Sequence, residues 1–268
     1  MNIAMMRNKT LVAGSGIILL FALIALLAPL VSPYDPAAIN QEDLLLGPSP
    51  RHLFGTDSLG RDLLSRMIYG ARISLSVGLV AVGIATLTGI LLGSVAGFYG
   101  GLLDALIMRF VDVMLCFPSF FLLLAVVSVF DPSIFNIMCI IGFTSWMGPA
   151  RLVRAEILSL KEREFIQAAR AMGATNTRII SRHLLPNAAG PLLVNATLGI
   201  SGAILLESGL SFLGLGVQPP VASWGNILIE SKSTLGVAWW ITVFPGCAIL
   251  LTILGFNMLA EGLRSKNG

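Results

Sequence analysis

Charge is what this sequence has least of. Only 12% of its 268 residues are Asp, Glu, Lys or Arg, where soluble domains carry roughly 25%. With 56% of residues hydrophobic, the chain is too apolar for water, which places it among integral membrane proteins. No Gly-Lys dipeptide occurs, so there is no phosphate-binding P-loop and no ATP hydrolysis by that route. The only histidines are His52 and His183, which the topology below puts on opposite sides of the membrane, so they cannot share a metal. Cys116, Cys139 and Cys247 sit singly in apolar runs with no CxxC partner. That excludes a disulfide framework or zinc site and reads as small buried apolar residues. No nucleophile–base pair or metal constellation of a membrane enzyme is visible. There is no internal repeat, and no nucleic-acid partner is expected.

Six apolar runs fill most of the chain: 11–31, 73–99, 102–130, 133–150, 188–212 and 235–260. The first is long enough to span a bilayer and longer than a signal-peptide core. Asp131-Pro132 is expected to stop the third. The fold class is therefore an all-α membrane protein with six transmembrane helices and both termini on one side. Eleven of the 17 Lys and Arg lie in the terminal segments and the 151–183 loop; only five lie in the loops opposite. The positive-inside rule then makes that large loop and both termini cytoplasmic. Gly89, Gly93 and Gly97 form a small-residue stripe in the second run, the mark of close helix packing in lipid. Trp224, Trp239 and Trp240 flank the last run and read as interfacial anchors.

The most informative stretch is the polar break between the fourth and fifth runs. Seven of the chain's basic residues fall there. Phe165, Ala168, Ala169 and Met172 are spaced as one face of a helix. Gly173 ends it as a C′ residue, Thr175 caps a second helix, and that helix is expected to stop before Pro186. A helix, a glycine turn and a helix between two spans suit docking of a soluble partner better than lipid binding alone. An ordinary interfacial amphipathic helix is the plainer alternative.

The same stretch resembles the cytoplasmic loop of bacterial ABC importer permeases, whose pattern is Glu-Ala-Ala, three residues, Gly, nine residues, Ile, one residue, Leu-Pro. Here Gln167-Ala168-Ala169, Gly173, His183 and Leu185-Pro186 keep the spacing. Gln167 replaces the Glu and His183 the Ile, so no salt bridge is available from position 167. The segments 52–62, 70–75 and 210–225 resemble the dipeptide/oligopeptide/nickel permease family, and the long loop after the first run is similar to its C-type inner-membrane subunit. The resemblance covers essentially the whole chain. It implies a type I ABC importer permease fold in the bacterial inner membrane. Residues 1–71 would be an N-terminal helix and extracytoplasmic loop, and 72–262 the permease domain with its coupling loop at about 151–187. It implies as partners a second homologous permease subunit, two ATPase subunits that carry the ATP and Mg, and an extracytoplasmic substrate-binding protein, besides membrane lipid. No cofactor is bound by this chain and it is no enzyme by itself.

By that resemblance Glu164, Gln167, Ala168, Ala169, Gly173, Leu185 and Pro186 form the ATPase-coupling surface. Ionisable residues within spans are functional candidates, so Arg109, Asp112 and Glu207 are candidates for the path or gate. Arg109 is placed to pair with Asp112 or Asp104, and Glu207 faces either the path or a subunit interface. The 55–62 segment reads as a turn and the start of a short helix bearing Leu63, Leu64 and Met67, either lying on the outer surface or meeting the binding protein. The expected cargo is a short peptide. A bare transition metal needs imidazole or thiolate ligands along the path, whereas a nickel or other metal chelate does not and stays as the alternative. A secondary transporter, the alternative of another class, needs inverted repeats that are not visible here.

Overall fold

A computed structural model describes residues 3–130, 133–234 and 236–267, with backbone only for 3–8 and 265–267. Asp131-Pro132, expected to stop the third run, and Leu235, expected to begin the sixth, lie outside the described residues. Among the described residues the architecture is helical, with a single isolated bridge between Thr56 and Asp62.

The first span is α1 (Ile3–Leu26), continued by the single turn α2 (Ala28–Val31). The long loop that follows folds back onto the start of α3 (Leu63–Tyr99). Asp62 caps α3 by accepting from the Ser65 backbone N–H at 2.8 Å. The expected second span and the expected short surface helix are therefore one element of 37 residues. At 1.5 Å per residue it is about 55 Å long, well beyond a hydrocarbon core of about 30 Å. Leu63 and Met67, read as facing a membrane surface, are buried in a cluster with Trp224, Trp240 and Ile241. The period-3.6 pattern marked the stripe correctly, but a stripe does not say whether lipid or protein covers it.

The tryptophans give a related correction. Trp224 and Trp240 are core residues, not anchors: their indole N–H groups donate to Met67 O at 3.1 Å and Thr56 O at 3.0 Å. Trp239 alone is exposed. Cys116 and Cys247 are exposed on the helix surface instead of buried.

Four helical stretches are each long and apolar enough to cross a membrane: Lys9–Leu26, Leu63–Tyr99, Asn176–Phe212 and Trp240–Arg264. The third expected span is a pair, α4 (Gly101–Leu115) and α5 (Ser119–Val127), bent by 86°. Pro118 supplies the reason, since it lacks an N–H and disfavours helix at Phe117. The fourth is the ten-residue α6 (Ile134–Phe143), then a break at 144–146, then α7 (Met147–Leu160).

α3 is the hub, packing on α7, α6 and α1. The glycine stripe lies against α7: a β-carbon at Gly89 would stand 2.5 Å from that of Pro149, and one at Gly93 2.5 Å from Ala150 O. Close approach of two backbones is what the stripe is for.

The remaining elements are α8 (Glu164–Ala171), α9 (Asn176–Ile179), a π-turn over Ile180–Leu184, α10 (Leu185–Phe212), α11 (Trp224–Thr234) and α12 (Trp240–Asn267). α10 packs on α3, and α12 packs against α1, α10 and α11. The expected stop before Pro186 does not occur. Leu185 stays helical and its N–H reaches back five residues to Ile180 O. That wider turn accommodates a proline ring without breaking the rod, so the second loop helix and the fifth span form one continuous stretch.

Candidate functional site

The candidates of the 151–187 loop come together at one corner. α8 ends in a Schellman motif: Ala174 N–H donates to Ala169 O at 3.0 Å and Gly173 N–H to Arg170 O at 2.9 Å. Gly173 has φ +79°, a conformation that costs an L-residue roughly 1–2 kcal/mol. Thr175 then caps α9, accepting from the Arg178 N–H. The loop is thus built by local chemistry legible in its residues.

Its orientation was less legible. Ile166 and Ala169 are the buried side of α8, and Ile166 joins a small core with Val153, Ile157, Ile179, Leu184 and Ala188. Phe165, Ala168 and Met172, three of the four residues assigned to one face, point away from that core; Met172 is 82% exposed. The apolar stripe is split between an inner row and a free outer row. Glu164 and Gln167 are exposed, Gln167 donating to Glu162 O at 3.2 Å. A β-carbon added at Gly173 would meet nothing within 4 Å. An open concavity of 680 Å³ lies between Leu160, the start of α8 and Asn187. Leu185 and Pro186 open α10 just before Asn187, Pro186 exposed.

The intramembrane candidates do not converge. Arg109 does not pair with Asp112 or Asp104. Asp104 instead takes both guanidinium arms of Arg154, with Nη2 to Oδ2 at 2.6 Å, and Asp112 pairs with Arg151. The carboxylate of Asp104 raises the Arg154 guanidinium further above its already high range. Two pairs thus tie α4 to α7, while Arg109 is exposed and among the described residues has no ion pair. Sequence proximity suggested partners within α4, and tertiary contact overrode it. Glu207 turns into the chain's own interior. It is wholly buried and accepts from the hydroxyls of Ser211 at 2.7 Å and Ser223 at 2.8 Å.

One cluster escaped the sequence. Asp57, fully buried, accepts from Arg61 Nε at 2.7 Å and from Arg66, and both arginines also donate to Glu230 at 2.8 Å. Beside it His52 bridges two carboxylates, 2.9 Å from Asp62 and 3.6 Å from Asp43. The two arginines clamp the loop before α3, and the start of α3, to Glu230 of α11. The i, i+4 spacing of Asp57 and Arg61 was a readable signal; Glu230, more than 160 residues later, offered none.

Residues 89–266 match the family described as binding-protein-dependent transport system inner membrane component, and residues 3–48 match the N-terminal TM domain of oligopeptide transport permease C. The dipeptide transport system permease protein DppC of Alkalihalophilus pseudofirmus is 46% identical over 96% of this chain and 85% of its own length. The oligopeptide transport system permease protein OppC of Bacillus subtilis is 39% identical over 97% and 87%. Among solved structures, an inward-facing form of the MetNI methionine ABC transporter aligns with a TM-score of 0.58 over 74% of this chain and 94% of that one, at 16% identity, a likeness of fold. A multi-pass helical chain, matched along most of its length to one model and nearly end to end to several relatives, belongs to the family of binding-protein-dependent transport inner membrane components, the permease chains of ABC importers.

Proposed function

We propose that this chain forms one half of the membrane path of an importer for short peptides and takes its power from ATPase subunits docked at the α8–Gly173–α9 corner. The observation that carries the docking role is the free outer row of α8. Phe165, Ala168 and Met172 stand exposed beside an open glycine turn, while Ile166 bolts the same helix to the chain's own core. An apolar surface held rigidly at the end of a span suits a partner's groove. Glu164 and Gln167 supply a polar edge, and Leu185 and Pro186 join the corner to α10. The partner set is two ATPase subunits, a second homologous permease subunit and an extracytoplasmic binding protein. Both termini are cytoplasmic, supported by the basic residues of the 151–183 loop. Residues 1–71 and 72–262 act as an entry segment and a permease core. Of the three path or gating candidates, Asp112 serves the tie to α7 and Glu207 an internal hydrogen-bond knot, while Arg109 stands exposed on α4.

The peptide reading is supported by the names of the relatives, dipeptide and oligopeptide permeases, and by a chain poor in metal ligands. Copurification and uptake test both parts. Gly173→Asp and Ala168→Trp are expected to insert normally, lose the ATPase subunits on purification and abolish dipeptide uptake. Normal copurification with normal uptake would overturn the docking role. Uptake of a nickel chelate in place of any di- or tripeptide would overturn the cargo and leave the docking role standing.

A further inference from the structure

Three polar side chains from spanning elements converge on one void without a hydrogen bond among the described residues. The void measures 340 Å³ and lies where α3, the α6–α7 break and α10 meet. Thr86, Ser145 and Asn195 line it. Thr86 Oγ1 is buried without a hydrogen bond. Among the described residues the Ser145 hydroxyl and the Asn195 amide have none either. Some other hydroxyls of the helices return to their own helix: Thr197 donates to Leu193 O at 2.7 Å and Thr144 to Ile140 O at 2.7 Å. Ser94 and Thr252 are also unbonded, but neither lines this void. Unpartnered polar groups at membrane depth are tolerated where they line a water-filled cavity or meet polar cargo.

A second cavity of 440 Å³ continues the first. It runs past Pro191 to Arg264 and shares Asn195 and Leu198 with its neighbour. One groove thus follows α10 from Pro191 to Leu206, and Asn195 stands at its junction. The wall is smooth there, since a β-carbon at Gly202 would meet nothing within 4 Å. Arg109, Asp112 and Glu207 are not among its lining residues.

We infer that this face of α10 is the chain's wall of the translocation path and that Asn195, with Ser145 and Thr86, is its polar contact for the backbone of the moving peptide. The inference rests on the peptide-importer reading above. A carboxamide donates and accepts at once, which matches the N–H and C=O of a peptide unit without selecting its side chains. No fixed charge lies at the junction, so the groove passes varied cargo and leaves selection to the binding protein.

The test uses the whole importer in proteoliposomes with its binding protein, comparing uptake of Ala-Lys and Ala-Glu. Asn195→Asp is expected to raise the Ala-Lys to Ala-Glu ratio about tenfold, equivalent to about 1.4 kcal/mol. Gly202→Trp is expected to leave assembly and binding-protein-stimulated ATP hydrolysis intact while cutting uptake at least about tenfold. An unchanged ratio together with normal uptake in Gly202→Trp overturns the inference. So does failure of Gly202→Trp to assemble, which would mean that a partner helix covers the groove. A cargo-independent arm separates this from the peptide reading: Asn195→Cys in a cysteine-free background is expected to react with a small charged thiol reagent during ATP turnover. Protection in every state overturns the path assignment even if no peptide is moved; labelling without dipeptide uptake upholds the path and sinks only the cargo.

Discussion

Asp57→Ala is expected to be the most damaging single truncation of a polar residue in the chain. Asp57 is fully buried and answers two guanidinium groups, Arg61 and Arg66, that are themselves 5% and 2% exposed. It also accepts the backbone N–H groups of Leu59 at 2.8 Å and Arg61 at 3.0 Å. With Glu230 the cluster is balanced, two cations against two anions. Alanine leaves two buried cations to share one carboxylate. Removing one partner of a buried pair costs about 3–5 kcal/mol, and at about 2–4 °C per kcal/mol the expected fall in Tm is about 6–20 °C. Tryptophan fluorescence of the detergent-solubilised chain reads it, because Trp240 donates to Thr56 O next to the cluster. Arg66→Met alone inverts the imbalance, so the double variant, left with Arg61 and Glu230, should lose clearly less than the sum of the two. Added salt should change little, since these charges are out of reach of screening ions. A fall below about 2 °C for Asp57→Ala, or a strictly additive double variant, would refute the account of a coupled buried cluster.

Gly93→Val should cost about 1–3 kcal/mol in thermal unfolding, because a β-carbon there meets Ala150 O at 2.5 Å, whereas Gly83→Ala, with nothing within 4 Å, should be silent. Glu207→Gln keeps an acceptor for Ser211 and Ser223 and should transport normally; Glu207→Leu strands both hydroxyls and should lower stability by about 1–3 kcal/mol, as unfolding in detergent would show. In intact cells with a cysteine-free background, Glu42→Cys should label with an impermeant reagent and Asn176→Cys should not; the reverse pattern would invert the topology.

Local rules were legible and distant partnerships were not. The α8 terminus at Gly173 and the Thr175 cap follow from residue types within one turn, and the structure has both. The stripe of Gly89, Gly93 and Gly97 announced a close helix neighbour, though not that the neighbour is α7. Pro186 misled because a proline warns of a break, and the π-turn before it absorbed the ring instead. The expected anchors Trp224 and Trp240 became core because the outer loop folds over them, which hydropathy along the chain does not reveal. Pairing errors had one cause. Asp104 and Asp112 were matched to the cation nearest in sequence, Arg109, yet their partners Arg154 and Arg151 lie about 40–50 residues on.

Those same pairs suggest how the proposed docking corner reaches the proposed groove. α7 has 14 residues, about 21 Å of rigid helix. Its first turn holds Pro149, which lines the 340 Å³ void just after Ser145. Its last turns hold Ile157 and Leu160, packed with Ile166, Ile179 and Leu184 beneath α8. Along its length α7 is seated closely on the glycine stripe of α3 through Pro149, Ala150, Val153 and Ile157, and it meets α4 through the Asp104–Arg154 and Asp112–Arg151 pairs. A close-packed seat on one side and ion pairs on the other hold α7 as one straight piece between its two ends. Displacement of α8 by an ATPase subunit would then move Ser145 and Pro149 at the groove as one body. The sparse packing of α4, with Leu102, Leu106 and Phe110 all more than half exposed, fits the same role, since an element that must travel with α7 cannot also be locked into the core.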